Sequence, residues 1–142
     1  MRALLDVNVL IALLDAEHLH HGSARQWLRD NIQHGWATCP ITQNGCLRIM
    51  AHPAYPSSLA ASLVARRLQE ATATDHHRFW PDKVSLLQPG VADWRQVIGS
   101  KQITDTYLLA LAVEHGGRFV TFDARIPPSV VPGADNQSFC VI

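Results

Sequence analysis

Apolar residues fall in short blocks along this chain, and the spacing inside each block separates strands from helices. The run "ALL" at 3–5 is short, continuous and apolar, as in a buried strand, and Val9, Ala12 and Leu13 then recur at helical spacing through Asn8 to Leu14. A second helix is predicted over about Gly22 to Ile32, with Ala24, Trp27 and Leu28 inward and Gly35 closing it. "WATC" at 36–39 reads as a strand, and Pro40 opens the helical stretch "ITQNGCLRIM".

The residues "HPAYPSS" at 52–58 read as a loop in which Ser57 or Ser58 caps the helix "LAASLVARRLQEA". A looser segment, "TATDHHRFWPD", leads to a third strand at Val84 to Leu87, and "VADWRQVI" suggests a short helix. In "TDTYLLALAVEHGG", Leu108, Leu111 and Ala112 share one face and Gly116 sits at the stop. "RFVTFD" follows as a strand, and "SFCVI" as a last edge strand. Strands separated by helices throughout imply an α/β fold with a parallel sheet covered on both faces.

Composition narrows the function. With 142 residues, 47% of them hydrophobic, the chain has the size of one domain with a real core, residues 1–142. Twelve basic and twelve acidic residues balance, so any nucleic acid must be gripped locally rather than by a broad basic field. Cys39, Cys46 and Cys140 are odd in number and lack a C-x-x-C spacing, which argues against a disulfide framework or a cysteine zinc site and for a reducing cytoplasm. The longest apolar stretch, Val9 to Leu14, is far short of the ~20 residues that cross a bilayer, so no membrane association is expected.

Topology then places chemistry. Each crossover helix of a parallel sheet starts near the carboxyl edge, where open α/β sheets bind ligands. Asp6 ends the first strand, Asp123 ends "RFVTFD", and Asp105 lies in the first turn of the helix before that strand, so all three are predicted to face one crevice. Gln43, just after Pro40, belongs to the same rim. Taken singly, each acid has an ordinary use: Asp6 as a helix cap, Asp105 as a first-turn acid, Asp123 as a turn residue. Together they repel, by about 4 kcal/mol per pair at ~4 Å and a dielectric of about 20. Such a cluster takes up a proton or a cation, and a hard divalent ion with oxygen ligands, Mg²⁺ or Mn²⁺, suits it best.

The blocks "LLDVNVLIALLD", "ITQNGCLRIM", "ITDTYLLALAVEHGG" and "RFVTFD", in this order over nearly the whole chain, resemble the PIN-domain ribonucleases, specifically toxins of the VapC type. The resemblance implies an α/β/α sandwich around a parallel sheet, Mg²⁺- or Mn²⁺-dependent cleavage of RNA, a small cognate antitoxin that blocks the crevice, and a homodimer. Asp6 matches the first acid of the family pattern, Asp105 the third and Asp123 the fourth, while Asn8 matches a polar residue that supports the first. Gln43 stands where the second acid, normally Glu, is expected, and an amide brings no charge to hold a second cation. One tightly held metal is therefore favoured over a pair. Thr121, on the same strand face as Asp123, is either a strand residue or a hydroxyl partner for a carboxylate.

Two other functions stay open at this level. With Gln43 in place of Glu the chain is alternatively an RNA- or antitoxin-binding module that does not cut. A phosphatase of the haloacid dehalogenase type shares a strand-one acid, but its second acid would fall at Asn8, which cannot supply a proton. The histidines of "EHLHH" and "DHHRF" lack a metal-site spacing and read as solvated. Most of Trp27, Trp36, Trp80 and Trp94 read as core, and Arg48, Arg66 and Arg67 either line an RNA path or solvate helix faces.

Overall fold

The structure is a computed structural model that describes residues 1–142. Its centre is a five-stranded sheet of order β3-β2-β1-β4-β5, formed by β1 (Ala3–Leu5), β2 (Trp36–Thr38), β3 (His77–Phe79), β4 (Arg118–Thr121) and β5 (Phe139–Val141). Every pairing is parallel, with Leu4 opposite Ala37 on one side and Phe119 on the other. The helices are α1 (Val7–Leu14), α2 (His21–Asn31), α3 (Pro40–Met50), α4 (Ala61–Thr72) and α5 (Ile103–Glu114). They cover both faces, as the expected α/β sandwich requires.

Alternation along the strands divides the core. Ala3, Leu5, Trp36 and Val120 pack with Val9, Leu10, Cys46, Met50 and Val64, which come from α1, α3 and α4. Leu4, Ala37 and Phe119 point the other way, onto Leu108, Leu109, Leu111 and Ala112 of α5. α5 is therefore apolar nearly all round its middle, as expected of a helix buried in a core. Gly45 sets the spacing of α1 and α3: a Cβ there would lie 2.8 Å from Val7 Cγ2. No helix is long and apolar enough to cross a membrane.

The element boundaries largely follow the hydrophobic pattern, with Gly35 and Gly116 at positive φ ending a short 3-10 turn after α2 and the turn after α5. Three local expectations are corrected. Val84 to Leu87 forms no strand; Val84 and Leu86 are apolar because the connection lies across the α5 side of the core. The third strand is instead His77–Phe79, within the segment read as loose, where it pairs with β2 from Trp36↔His77 to Thr38↔Phe79. An edge strand with little burial carries no apolar alternation, so its backbone pairing has no signature in the side chains. Nor do Ser57 and Ser58 cap α4, which starts after Ala60 without a side-chain cap. The Ser58 N–H is taken by Tyr55 O and that of Leu59 by Met50 O, which folds the loop back on α3.

Candidate active site

Asp6 follows the last residue of β1 and is only 8% exposed. It caps α1, accepting a 2.7 Å hydrogen bond from Val7 N at Oδ1, while Thr121 Oγ donates to Oδ2 at 2.7 Å. Capping and clustering are thus not alternatives for Asp6. Burial raises its pKa above the ordinary carboxylate value, outweighing both donors, and the charge of Asp123 pushes the same way.

Asp105 is in the first turn of α5 and half-buried. Burial, and then the charges of Asp6 and Asp123, push its carboxyl up to about 6 against an opposing pull from Arg125. Asp123 lies two residues beyond β4, its backbone N–H donating to Thr121 Oγ at 3.1 Å. The hydroxyl of Thr121 therefore links the Asp6 carboxylate to the backbone of Asp123, the hydrogen-bonding role left open for it. Arg125 pairs with Asp123 through Nη2 at 2.6 Å, and its backbone N–H donates to Oδ1 at 2.8 Å. The sequence reading passed over Arg125, although an acid followed two residues later by a base in a turn is a signal for such a pair.

The three acids are thus brought to one edge of the sheet and into one another's electrostatic field. No three His, Cys, Asp or Glu side chains close up to metal-ligand spacing, the histidine tracts included. The donors are nonetheless of the right kind for a hard divalent ion, since all are carboxylate oxygens. Asp105 is raised first by burial and then by the charges of Asp6 and Asp123, which Arg125 only partly offsets. That chemistry fits a hard divalent cation.

Neither Asn8 nor Gln43 hydrogen-bonds to the carboxylates. Asn8 is exposed in the first turn of α1, and both Asp6 oxygens are already engaged by other donors. It lines a cavity of about 430 Å³ with Asn44, Arg48 and Thr104. Gln43 is turned to the opposite side of the sheet from α5: its Nε2 donates to Thr38 Oγ at 2.9 Å, and it lines a small recess between α3 and α4 with Leu47 and Leu68. Helix register explains the difference, because Asn44, one position on, rotates about 100° toward α1. Of the other residues considered, Trp36 and Trp80 are buried, Trp27 lies under Arg118, and Trp94 is 47% exposed.

The family model described as "PIN domain" matches residues 3–127. Over all 142 residues of both chains, this protein is 50% identical to "Ribonuclease VapC44" of Mycobacterium tuberculosis. It is 41% identical over 134 residues to "Ribonuclease VapC39" of that organism, covering 94% of this chain and 96% of the relative. With "Ribonuclease VapC38" it shares 42% over 125 residues, covering 87% and 86%. A parallel sheet with three acids at its carboxyl edge, a model match over most of the chain and relatives this similar lead to one assignment: the chain belongs to the PIN domain family.

Proposed function

We propose that this protein, acting as a single PIN domain over residues 1–142, is a metal-dependent endoribonuclease and the toxin of a toxin–antitoxin pair. The observation that carries the reading is the field around Asp105, whose carboxyl is held at about 6 by burial and by Asp6 and Asp123. The ribonuclease names of relatives 40–50% identical support the same chemistry.

Asp6, Asp105 and Asp123 would hold one Mg²⁺ or Mn²⁺ ion. The chemistry such an ion supplies there is polarisation of the phosphate and acidification of a bound water. Thr121 holds Asp6 in place and, by donating to it, opposes the rise that burial gives its carboxyl. Arg125 neutralises part of the Asp123 charge and limits where that carboxylate points. A proton on Asp105, whose carboxyl is raised to about 6 in the absence of an ion, would compete with the metal, so affinity should fall toward acid pH. Gln43 supports a single ion, since it neither carries charge nor joins the acids.

The partner reading draws on a second surface. An apolar groove of about 460 Å³ between α1, α2 and α4, lined by Leu10, Leu13, Leu28 and Ile32 with Arg25 and Arg29 among its lining, suits the small antitoxin that the family resemblance implies. A homodimer and a cytoplasmic location are proposed on the same resemblance, and the free thiols of Cys39, Cys46 and Cys140 agree with a reducing compartment.

The test is cleavage of labelled RNA by purified protein. Activity is expected with Mg²⁺ or Mn²⁺, lost in chelator, and lost in Asp6→Asn. Cleavage undiminished by chelator, or by Asp6→Asn, would overturn the proposal. A wild type that binds RNA and gives no metal-dependent product, with cutting appearing only in Gln43→Glu, would favour the binding module instead.

A further inference from the structure

Three arginines on α3 and α4 were equivalent as RNA contacts in the sequence, and the fold separates them. Arg66 and Arg67 are exposed on α4, where Arg67 reaches the carbonyl of Leu14 at 3.5 Å. Arg48 is exposed on α3, one turn beyond Asn44, and both line the 430 Å³ cavity shared with Asn8 and Thr104. Two residues of its wall are chain neighbours of the acids: Val7 follows Asp6, and Thr104 precedes Asp105. The close approach of α1 and α3 at Gly45 builds its floor.

Two features point to a ligand with both charge and hydrogen-bonding edges. Arg48 forms none of the protein's ion pairs, so its guanidinium is a free cation in a cavity whose wall includes the chain neighbours of Asp6 and Asp105. A cation so placed serves an anion bound next to the acids, and a guanidinium fork matches a phosphodiester. Asn8, Asn44 and Thr104 add uncharged donors and acceptors at the same wall, as base edges and ribose hydroxyls require. A space of about 430 Å³ lies within the range of small-ligand sites and has room for a nucleotide unit.

We propose that this cavity is a nucleotide subsite of the RNA path, in which Arg48 holds a phosphate flanking the scissile one and Asn44 contacts the attached nucleoside. The assignment rests on the ribonuclease reading above for the identity of its ligand. Arg48 acts as a positioning residue, because it would fix where the chain enters the acid cluster without touching the reacting atoms.

The test uses the full-length protein and a fluorescent single-stranded oligoribonucleotide of about ten nucleotides, with anisotropy read in chelator across a salt series. For Arg48→Ala, affinity is expected to fall about tenfold and the slope of log K against log salt to shrink by about 0.7, the loss of one phosphate contact on a single strand. Arg48→Lys should recover the slope and only part of the affinity, and Arg66→Ala should match the wild type. With Mg²⁺, Arg48→Ala should raise KM and leave kcat nearly unchanged.

An unchanged slope in Arg48→Ala overturns the subsite, as does a wild type with no measurable binding to the probe. So does a shift from dimer to monomer in sedimentation that accounts for the whole affinity loss, because the face would then be an interface between copies of this chain. A wild type that binds with the expected slope and never cleaves keeps the subsite and defeats the ribonuclease reading. Cleavage by the wild type with an unaltered slope in Arg48→Ala does the reverse.

Discussion

Asp105→Asn is expected to make the metal-free protein more stable at neutral pH, although it removes a candidate ligand. The carboxyl is held at about 6, against 3.8 for a free group, mainly by burial and then by Asp6 and Asp123. A fully buried group so displaced would cost about 3 kcal/mol when ionised at pH 7. Asp105 is partly open to solvent, so about 1–2 kcal/mol is the appropriate figure. The direction follows from proton binding: between about pH 4 and 6 the folded protein holds more protons than the unfolded chain, so wild-type stability falls as pH rises through that window. Asparagine imitates the protonated carboxyl at every pH.

The assay is thermal unfolding in chelator at pH 4 and pH 7. At pH 7 the variant should melt about 3–8 °C above the wild type, and at pH 4 the two should nearly coincide. Adding Mg²⁺ or Mn²⁺ should reverse the order, since an ion at about 100 times its Kd stabilises by about 2.7 kcal/mol and the variant binds it less well. A variant that melts lower than the wild type at pH 7 in chelator, or a gain of the same size at both pH values, would refute the electrostatic account of Asp105.

Thr121→Val removes the donor to Asp6 and the acceptor for the Asp123 N–H, both buried, and should cost about 2–3 kcal/mol in denaturant unfolding and reduce RNA cleavage about tenfold. Gln43→Glu should leave cleavage within about twofold, because the side chain faces Thr38 and the α3–α4 recess rather than the acids; a large gain would place residue 43 in the reaction after all. Gly45→Ala pushes a methyl into Val7 and should destabilise by about 1–3 kcal/mol, with Val7→Ala in the same chain recovering most of the loss. Additive losses in that double variant would exclude the contact as the cause.

The fold and most of its candidate site are legible in the sequence where local physics suffices. The run at 3–5, the helical spacing of Val9, Ala12 and Leu13, and the apolar α5 each carry a period set by one buried face. The parallel connection rule then places Asp6, Asp105 and Asp123 on one rim without coordinates, because a crossover must return the chain to the same end of the sheet. Tertiary structure alone decided the rest. The edge strand His77–Phe79 is defined by backbone bonds to β2, to which side-chain polarity is indifferent. One step of helix rotation sends Gln43 to Thr38 and Asn44 to the cavity beside Asn8, and what each meets there depends on how α3 is set against α1, where Gly45 leaves no room for a side chain. The elevation of Asp105 likewise needs its burial and its distance from charges distant in the chain, Asp6 above all, quantities that no local pattern contains.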